Sequence, residues 1–129
     1  MWFIGRSRFC FGDVGIPASP VLIADVPSGI AAKAALLDEL SRELRFPDYF
    51  GGNWDALEEC IRDLSWIQPG PVVLRHRDIP LVKDLANSKT YLSILADAVD
   101  EWKRTPDRDL VVVFPRETRG HIARVLRST

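Results

Sequence analysis

Long apolar segments are missing from this chain of 129 residues, whose longest uninterrupted apolar run, at 110–114, has the length of a strand. A helix that crosses a bilayer needs about 20 apolar residues, so we expect no contact with a membrane. The first eight residues contain two arginines but no apolar stretch long enough for the core of a signal peptide. The sequence therefore predicts a cytoplasmic protein.

Cysteine is equally scarce. Cys10 and Cys60 are the only two cysteines, they lie 50 residues apart, and neither belongs to a Cys-x-x-Cys pair. Such a pair of positions can build neither a disulfide framework nor, alone, a metal site. We expect both to be small buried apolar side chains, and we expect no metal and no cofactor.

Sequence motifs of catalysis are also absent. The chain has no G-x-S-x-G, P-loop, G-x-G-x-x-G or H-E-x-x-H pattern, and its two histidines, His76 and His121, have no nucleophile at a motif spacing. Acid–base or metal chemistry needs carboxylates that converge across a cleft. The clustered carboxylates of this chain fall instead on one convex helix face: Asp55, Glu58, Glu59 and Asp63. We therefore expect a protein without catalytic residues.

Net charge is low, at −1, but its distribution along the chain is uneven. Residues 38–63 contain eight acids and three arginines, a charge of −5, whereas residues 102–129 contain seven bases and three acids, a charge of +4. An acidic surface repels nucleic-acid backbones and attracts basic proteins. The basic end has no aromatic interleaving or nucleic-acid-binding motif, so we expect a basic protein as partner and no direct contact with nucleic acid.

Apolar patterning predicts an α/β fold. Short runs bounded by proline and glycine predict strands at 21–24, 72–74 and 110–114. Helical spacing predicts helices at 30–44, capped by Ser28, at 54–65, at 81–103 with an interruption near Asn87, and a short one around Ile122 and Val125. At the amino terminus, residues 2–4 and 9–11 are candidates for extra strands joined by a turn. Strands alternating with helices indicate a parallel sheet.

The second of these helices separates its side chains cleanly. Asn53 precedes it and offers a side-chain oxygen to its first amides, as a helix cap does. At 100° per residue, its apolar side chains fall on one side and its acids on the other. Asp55 lies in the first turn, where the helix dipole favours a negative charge, but the dipole does not account for Glu58, Glu59 and Asp63.

Residues 46–60 resemble the central loop and second helix of the barstar family, intracellular inhibitors of secreted guanyl-preferring ribonucleases. The family pattern is Pro, acid, Tyr, aromatic, Gly, any residue, Asn, apolar, Asp, Ala, Leu, with Cys three residues later. Every element of it is present in FPDYFGGNWDALEEC. The resemblance extends, as an order of strands and helices, over residues 21–114.

The resemblance implies a three-layer barstar-like fold with a small, parallel, three-stranded sheet packed by helices. It also divides the chain into an amino-terminal extension at 1–20, a barstar-like domain at 21–114 and a basic carboxy-terminal segment at 115–129. In the family, the second helix and the loop before it plug the active site of a ribonuclease, and acids stand in for RNA phosphates. The implied function is inhibition by occlusion, by an immunity-type protein that is monomeric when free.

Position by position, the resemblance implies partner-binding roles for one residue set: Tyr49, Gly51, Asn53, Asp55, Glu58, Glu59 and Glu101. Glu59 matches the deepest acid of the family, which there is Asp, and Glu58 stands where the family has Trp. A third acid, late in the last family helix, corresponds to Glu101 or Asp100. The implied partner is a basic ribonuclease or a related nuclease toxin.

Two other readings stay open at the level of sequence. The chain could be a barstar-fold interaction module that acts in assembly or regulation, with its terminal segments covering the inhibitory face. It could also be a hydrolase that uses the acid cluster, which would require a carboxyl group with a raised pKa inside a cleft.

Overall fold

A computed structural model describes residues 8–12 and 15–127, and these build one four-stranded, entirely parallel sheet covered by helices. The strands are β1 (Cys10–Phe11), β2 (Leu22–Val26), β3 (Gly70–His76) and β4 (Arg108–Phe114), in the order β1-β4-β3-β2. The helices are α1 (Lys33–Glu43), α2 (Trp54–Asp63), α3 (Leu85–Trp102) and α4 (Arg119–Arg127), the last preceded by a 3-10 turn at Arg116–Thr118. None of the helices in the described part has the length and apolar composition needed to span a membrane.

Alternating strand residues divide the apolar side chains between the two faces of the sheet. Ala24, Leu74, Val112 and Phe114 point toward the main core, to which all four helices contribute their buried residues. The opposite face carries a much smaller cluster: Val73, Val111 and Val113, with Cys10 and Ile16 packed against it. The two helical crossovers, from β2 to β3 and from β3 to β4, step in the same direction across the sheet. Since crossovers between parallel strands are right-handed, their helices lie on the same face. The expected three-layer packing is therefore wrong for the described residues, which form a helical layer on one sheet.

A fourth strand corrects the prediction of a three-stranded sheet. Strand β1 pairs in parallel with β4, with Cys10 opposite Val113, and the Gly12 amide donates to the Phe114 carbonyl oxygen at 2.9 Å. Phe9 is buried beside it, with its ring centroid 5.2 Å from that of Phe114. The candidate extra strand at 9–11 is therefore confirmed, as a strand of two residues. The other predicted amino-terminal strand, at 2–4, lies outside the described residues.

Tertiary hydrogen bonds delay the starts of two helices. Helix α1 begins at Lys33, and its cap residue Ala32 makes no side-chain hydrogen bond, so the predicted cap at Ser28 is wrong. Gly29, beside it, has a φ of +83° and donates its amide to the Asp78 carboxylate at 2.9 Å. Leu81 has a left-handed φ of +58° and donates to the Ile30 carbonyl oxygen at 3.0 Å, so the next helix begins only at Leu85. That helix, α3, runs through Asn87 without the predicted interruption.

His76, the last residue of β3, is buried in the main core and satisfied by two polar groups. Its Nδ1 lies 3.0 Å from the Val113 carbonyl oxygen and its Nε2 lies 2.7 Å from the Tyr91 hydroxyl. Because a carbonyl cannot donate, Nδ1 carries the proton and Nε2 accepts from Tyr91. The ring also stacks on Phe114 at 4.0 Å between centroids. This histidine is thus a core group that fixes the position of Tyr91.

Candidate functional site

The candidate site is built on α2, a helix whose two ends are set by local backbone chemistry. Asn53 has an extended backbone, and its side-chain oxygen accepts from the Ala56 amide at 2.8 Å. The helix ends where Leu64 takes a left-handed conformation with a φ of +46°. Between these points Leu57, Cys60 and Ile61 are buried in the main core. The opposite side of α2 is therefore the one that faces outward.

That outward side carries four acids, which we call the acidic face: Asp55, Glu58, Glu59 and Asp63. Asp55, Glu59 and Asp63 are exposed, and no cation within residues 8–12 or 15–127 forms an ion pair with them. Glu58 is half-buried and pairs with Arg62 one turn later at 3.4 Å. An exposed i,i+4 pair contributes only about 0.3–0.5 kcal/mol, so it neutralises one of the four charges without a strong bond. The acidic face keeps three uncompensated carboxylates.

The loop before α2 places an aromatic hydroxyl next to the acidic face. Tyr49 is 72% exposed, although it is a large and partly apolar side chain. The pKa of its hydroxyl is raised, first by partial loss of surrounding water and then by the negative charges of Asp63 and Glu59. Phe50, the next residue, anchors the loop by packing its ring, tilted by 54°, against that of buried Phe46 at 4.9 Å between ring centroids. The tip of the loop therefore projects toward solvent beside the last two acids.

Two further predicted residues, Gly51 and Glu101, are exposed outside α2. Gly51 is exposed, and a Cβ added there would make ordinary contacts with Asn53 and Ala56, at 3.7 and 3.8 Å. Glu101 is exposed at the end of α3, next to Trp102, whose indole N–H donates to the Ile61 carbonyl oxygen of α2 at 2.8 Å. The alternative acid, Asp100, is instead paired with Arg8 at 2.9 Å. Trp102, the neighbour of Glu101, thus contacts the carboxy-terminal part of α2, whereas Asp55 lies in the first turn of that helix.

Two contributors were missing from the residue set that the sequence predicts. Asp63 belongs to the acidic face and influences Tyr49, which the helical spacing of the acids already signalled. Trp54, assigned by its spacing to the core side of α2, is only half-buried and makes polar contacts described below. Among the described residues, no group of three or more His, Cys, Asp or Glu side chains could hold a metal ion.

Both cysteines are free thiols. Cys60 is buried beneath the acidic face, where loss of water and then the charges of Asp63 and Glu59 raise the pKa of its thiol. Cys10 is only half-buried, so the expectation of a buried small side chain holds for Cys60 and fails for Cys10. The strand that carries Cys10 has a single strand neighbour, β4, and this edge position leaves it partly open to solvent.

Replacing the cap of α2 tests the local stability of this surface. We expect Asn53→Ala to lower the free energy of unfolding by about 1 kcal/mol, because the Ala56 amide loses its acceptor. Asn53→Asp, which keeps a side-chain oxygen, serves as the control and is expected to stay within about 0.5 kcal/mol of the parent protein. Urea unfolding measures both. Equal stabilities for the alanine and aspartate variants would contradict the role of the cap.

Comparison with known proteins relates this chain to a family profile and to a bacterial protein. Residues 23–115 match the sequence profile of a family described as "Barstar (barnase inhibitor)". A Bacillus subtilis (strain 168) protein named "Putative ribonuclease inhibitor YrdF" is 39% identical over 69 residues, which cover 51% of this chain and 63% of the relative. The chain therefore matches less than two thirds of the length of that relative.

Proposed function

The chain belongs to the barstar family, and on that premise we propose that it inhibits a basic ribonuclease or ribonuclease-type toxin by covering its active site. In this proposal the acidic face of α2 enters the cationic cleft where RNA phosphates otherwise bind, and the loop that carries Tyr49 and Gly51 contacts the rim. No bond is made or broken. The name of the Bacillus subtilis relative, a ribonuclease inhibitor, supports the same function.

One observation carries the proposal: three exposed carboxylates on a single rigid helix without an intramolecular counter-ion among the described residues. Like charges held together without compensation raise the energy of the free protein, and a complementary cationic surface relieves it. The acids stand on a convex surface rather than facing each other across a cleft. This geometry favours binding of a partner over acid–base chemistry on a substrate.

Inhibition of barnase, the ribonuclease in the family's description, tests the proposal directly. We expect excess protein to abolish RNA cleavage by barnase at about 0.1 M salt and to lose part of this effect near 1 M salt. The reason is that the screening length falls from about 10 Å to about 3 Å over this range. Unchanged cleavage at a large excess of the protein, in low salt, would reject barnase-type ribonucleases as the target.

A second candidate function is an interaction module of the same fold that does not inhibit ribonucleases. Two features favour it: Glu58 is already paired with Arg62, and Glu59 is one methylene longer than the aspartate of the family. The covering of the acidic face by the amino-terminal segment gains no support from residues 8–12, since Arg8 pairs with Asp100 and Phe9 packs on Phe114. The cleavage assay separates the two functions, because a module of this kind leaves RNA cleavage unchanged.

A further inference from the structure

Trp54, the first residue of α2, contacts the starts of the two neighbouring helices at once. Its indole N–H donates to the Asn87 side-chain oxygen, in the first turn of α3, at 3.1 Å. Its ring stacks on that of Tyr91, one turn further along α3, with 6.3 Å between centroids and 29° between the ring planes. The ammonium of Lys33, the first residue of α1, lies 5.2 Å from the centre of the indole ring. One side chain therefore joins the amino-terminal ends of three helices.

The groups that receive Trp54 are themselves held in place. The Asn87 side-chain nitrogen donates to the Asp84 carboxylate at 2.9 Å, and the same carboxylate caps α3 through the Asn87 amide at 3.2 Å. This donor fixes the orientation of the Asn87 amide, so its oxygen faces the indole. Tyr91 is fully buried and bound to His76 through its hydroxyl. Trp54 thus packs on two side chains, Asn87 and Tyr91, whose orientations are already fixed by other hydrogen bonds.

The position of Trp54 in the sequence gives these contacts a consequence for the site. Asn53 and Asp55, two of the proposed partner-binding residues, flank it directly. An aliphatic side chain at this position could fill the same apolar space, but it would have no donor for Asn87 and no ring for Lys33. A binding surface held in its bound geometry loses less entropy on association than a mobile one.

We propose that Trp54 is the positioning residue of the acidic face, holding the first turn of α2 so that Asn53 and Asp55 meet a partner in one orientation. Its effect on the partner rests on the proposed function, whereas its effect on α2 does not. The interaction that sets the orientation is the Trp54–Asn87 hydrogen bond, and the contacts with Tyr91 and Lys33 hold the ring in its plane.

Amide hydrogen exchange on the free protein tests the effect on α2. In Trp54→Phe, which keeps a ring but removes the donor, we expect exchange at Ala56 and Leu57 to accelerate roughly five- to tenfold through local opening of the first turn. Exchange at Leu64, at the far end of α2, should stay within about twofold. Trp66→Phe is the matched control, because its indole is also half-buried and donates to a backbone carbonyl oxygen, that of Leu44, at 3.0 Å.

Binding kinetics with barnase test the effect on a partner. Trp54→Phe changes no charge, so we expect the association rate constant to stay within about twofold while the dissociation rate constant rises roughly tenfold. Asn87→Ala removes the acceptor of the same hydrogen bond and should raise dissociation to a similar extent. The double variant should be no worse than the more affected single variant, because both changes remove one interaction.

Each outcome decides the proposal. Equal acceleration at Ala56 and Leu64, or acceleration at Ala56 in Trp66→Phe as well, would show a general loss of stability and overturn it. Local acceleration with unchanged dissociation from barnase would also overturn it, since the orientation would then not matter to the partner. Local acceleration in a protein whose parent form never binds barnase would support the positioning of α2 and reject barnase-type ribonucleases as its partner.

Discussion

Glu59→Ala is expected to weaken the binding of barnase about 30-fold to several thousandfold, which corresponds to a loss of about 2–5 kcal/mol. In the free protein Glu59 is exposed and no ion pair among the described residues involves it, so its removal costs little stability. In the proposed complex the carboxylate is buried against cationic groups. Its loss then leaves those groups desolvated and without a counter-charge, which is the larger part of the cost.

Two control variants make this measurement specific. Glu117→Ala is the same chemical change at an exposed glutamate outside the acidic face. Glu117 lies in the 3-10 turn before α4. It should change affinity by less than threefold. Glu58→Ala should have an intermediate effect, because Arg62 already compensates its charge. Titration of barnase activity with each variant, at one fixed salt concentration, measures the dissociation constants.

Equal affinities for Glu59→Ala and Glu117→Ala would show that the acidic face acts only through its summed charge or not at all. The salt dependence of the rate constants distinguishes a charge that acts at long range from a buried one. A charge that acts at long range changes the association rate constant, and its effect is lost near 1 M salt. A buried charge instead changes the dissociation rate constant. The proposed occlusion requires that Glu59 acts as a buried charge, through the dissociation rate constant. It allows Glu58 to act at long range, through the association rate constant.

The sequence predicted those strands whose apolar residues follow a simple rule. The unalternating run at 110–114 indicated a strand in a parallel sheet, and β4 spans Arg108–Phe114. Prediction from the sequence failed where tertiary contacts determine the backbone conformation. Leu81 has a left-handed φ, and its amide donates a hydrogen bond to the Ile30 carbonyl oxygen. Both prevent a helix at Leu81, although the helical spacing of apolar residues continues through it. Periodicity describes which face a residue offers, but it carries no information on a hydrogen bond between distant loops.

Family membership could be predicted from the short motif at 46–60, and the match over residues 23–115 confirms it. The cap at Asn53 and the separation of the faces of α2 also followed from the sequence. The role of Trp54 did not, because its partners Lys33 and Asn87 lie 21 and 33 residues away and only the fold brings them together. At helical spacing, a tryptophan beside apolar residues indicates burial in the core and nothing more.

Acid conditions are expected to destabilise the protein through His76, the buried histidine of β3. Burial lowers the pKa of its imidazole from an ordinary 6.5 to about 4, and the hydrogen bond to the Val113 carbonyl oxygen opposes this only in part. The fold therefore holds the neutral ring, whereas the unfolded chain takes up a proton near pH 6.5. The contribution of neutral His76 to the free energy of unfolding is complete above this pH and falls as the pH drops from about 6.5 to about 4. Below that value nothing more is lost through His76.

The expected loss over this interval is roughly 3 kcal/mol, a large part of the 5–15 kcal/mol by which a domain is usually stable. Protonation would give Nε2 a hydrogen, which then faces the Tyr91 hydroxyl. Burial raises the pKa of this hydroxyl well above its ordinary value, so it remains protonated. The hydroxyl can turn to accept, but no counter-charge on either ring nitrogen offsets a buried cation.

Urea unfolding at several pH values between 4 and 7.5 measures this loss in the parent protein and in His76→Gln, which cannot titrate. We expect the variant to be less stable at pH 7.5, because the polar contacts of the ring change, and to depend on pH by roughly 3 kcal/mol less. His121→Gln makes the same change at the only other histidine of the chain and should keep the steep dependence. Parallel curves for the parent protein and His76→Gln would show that His76 does not control acid stability.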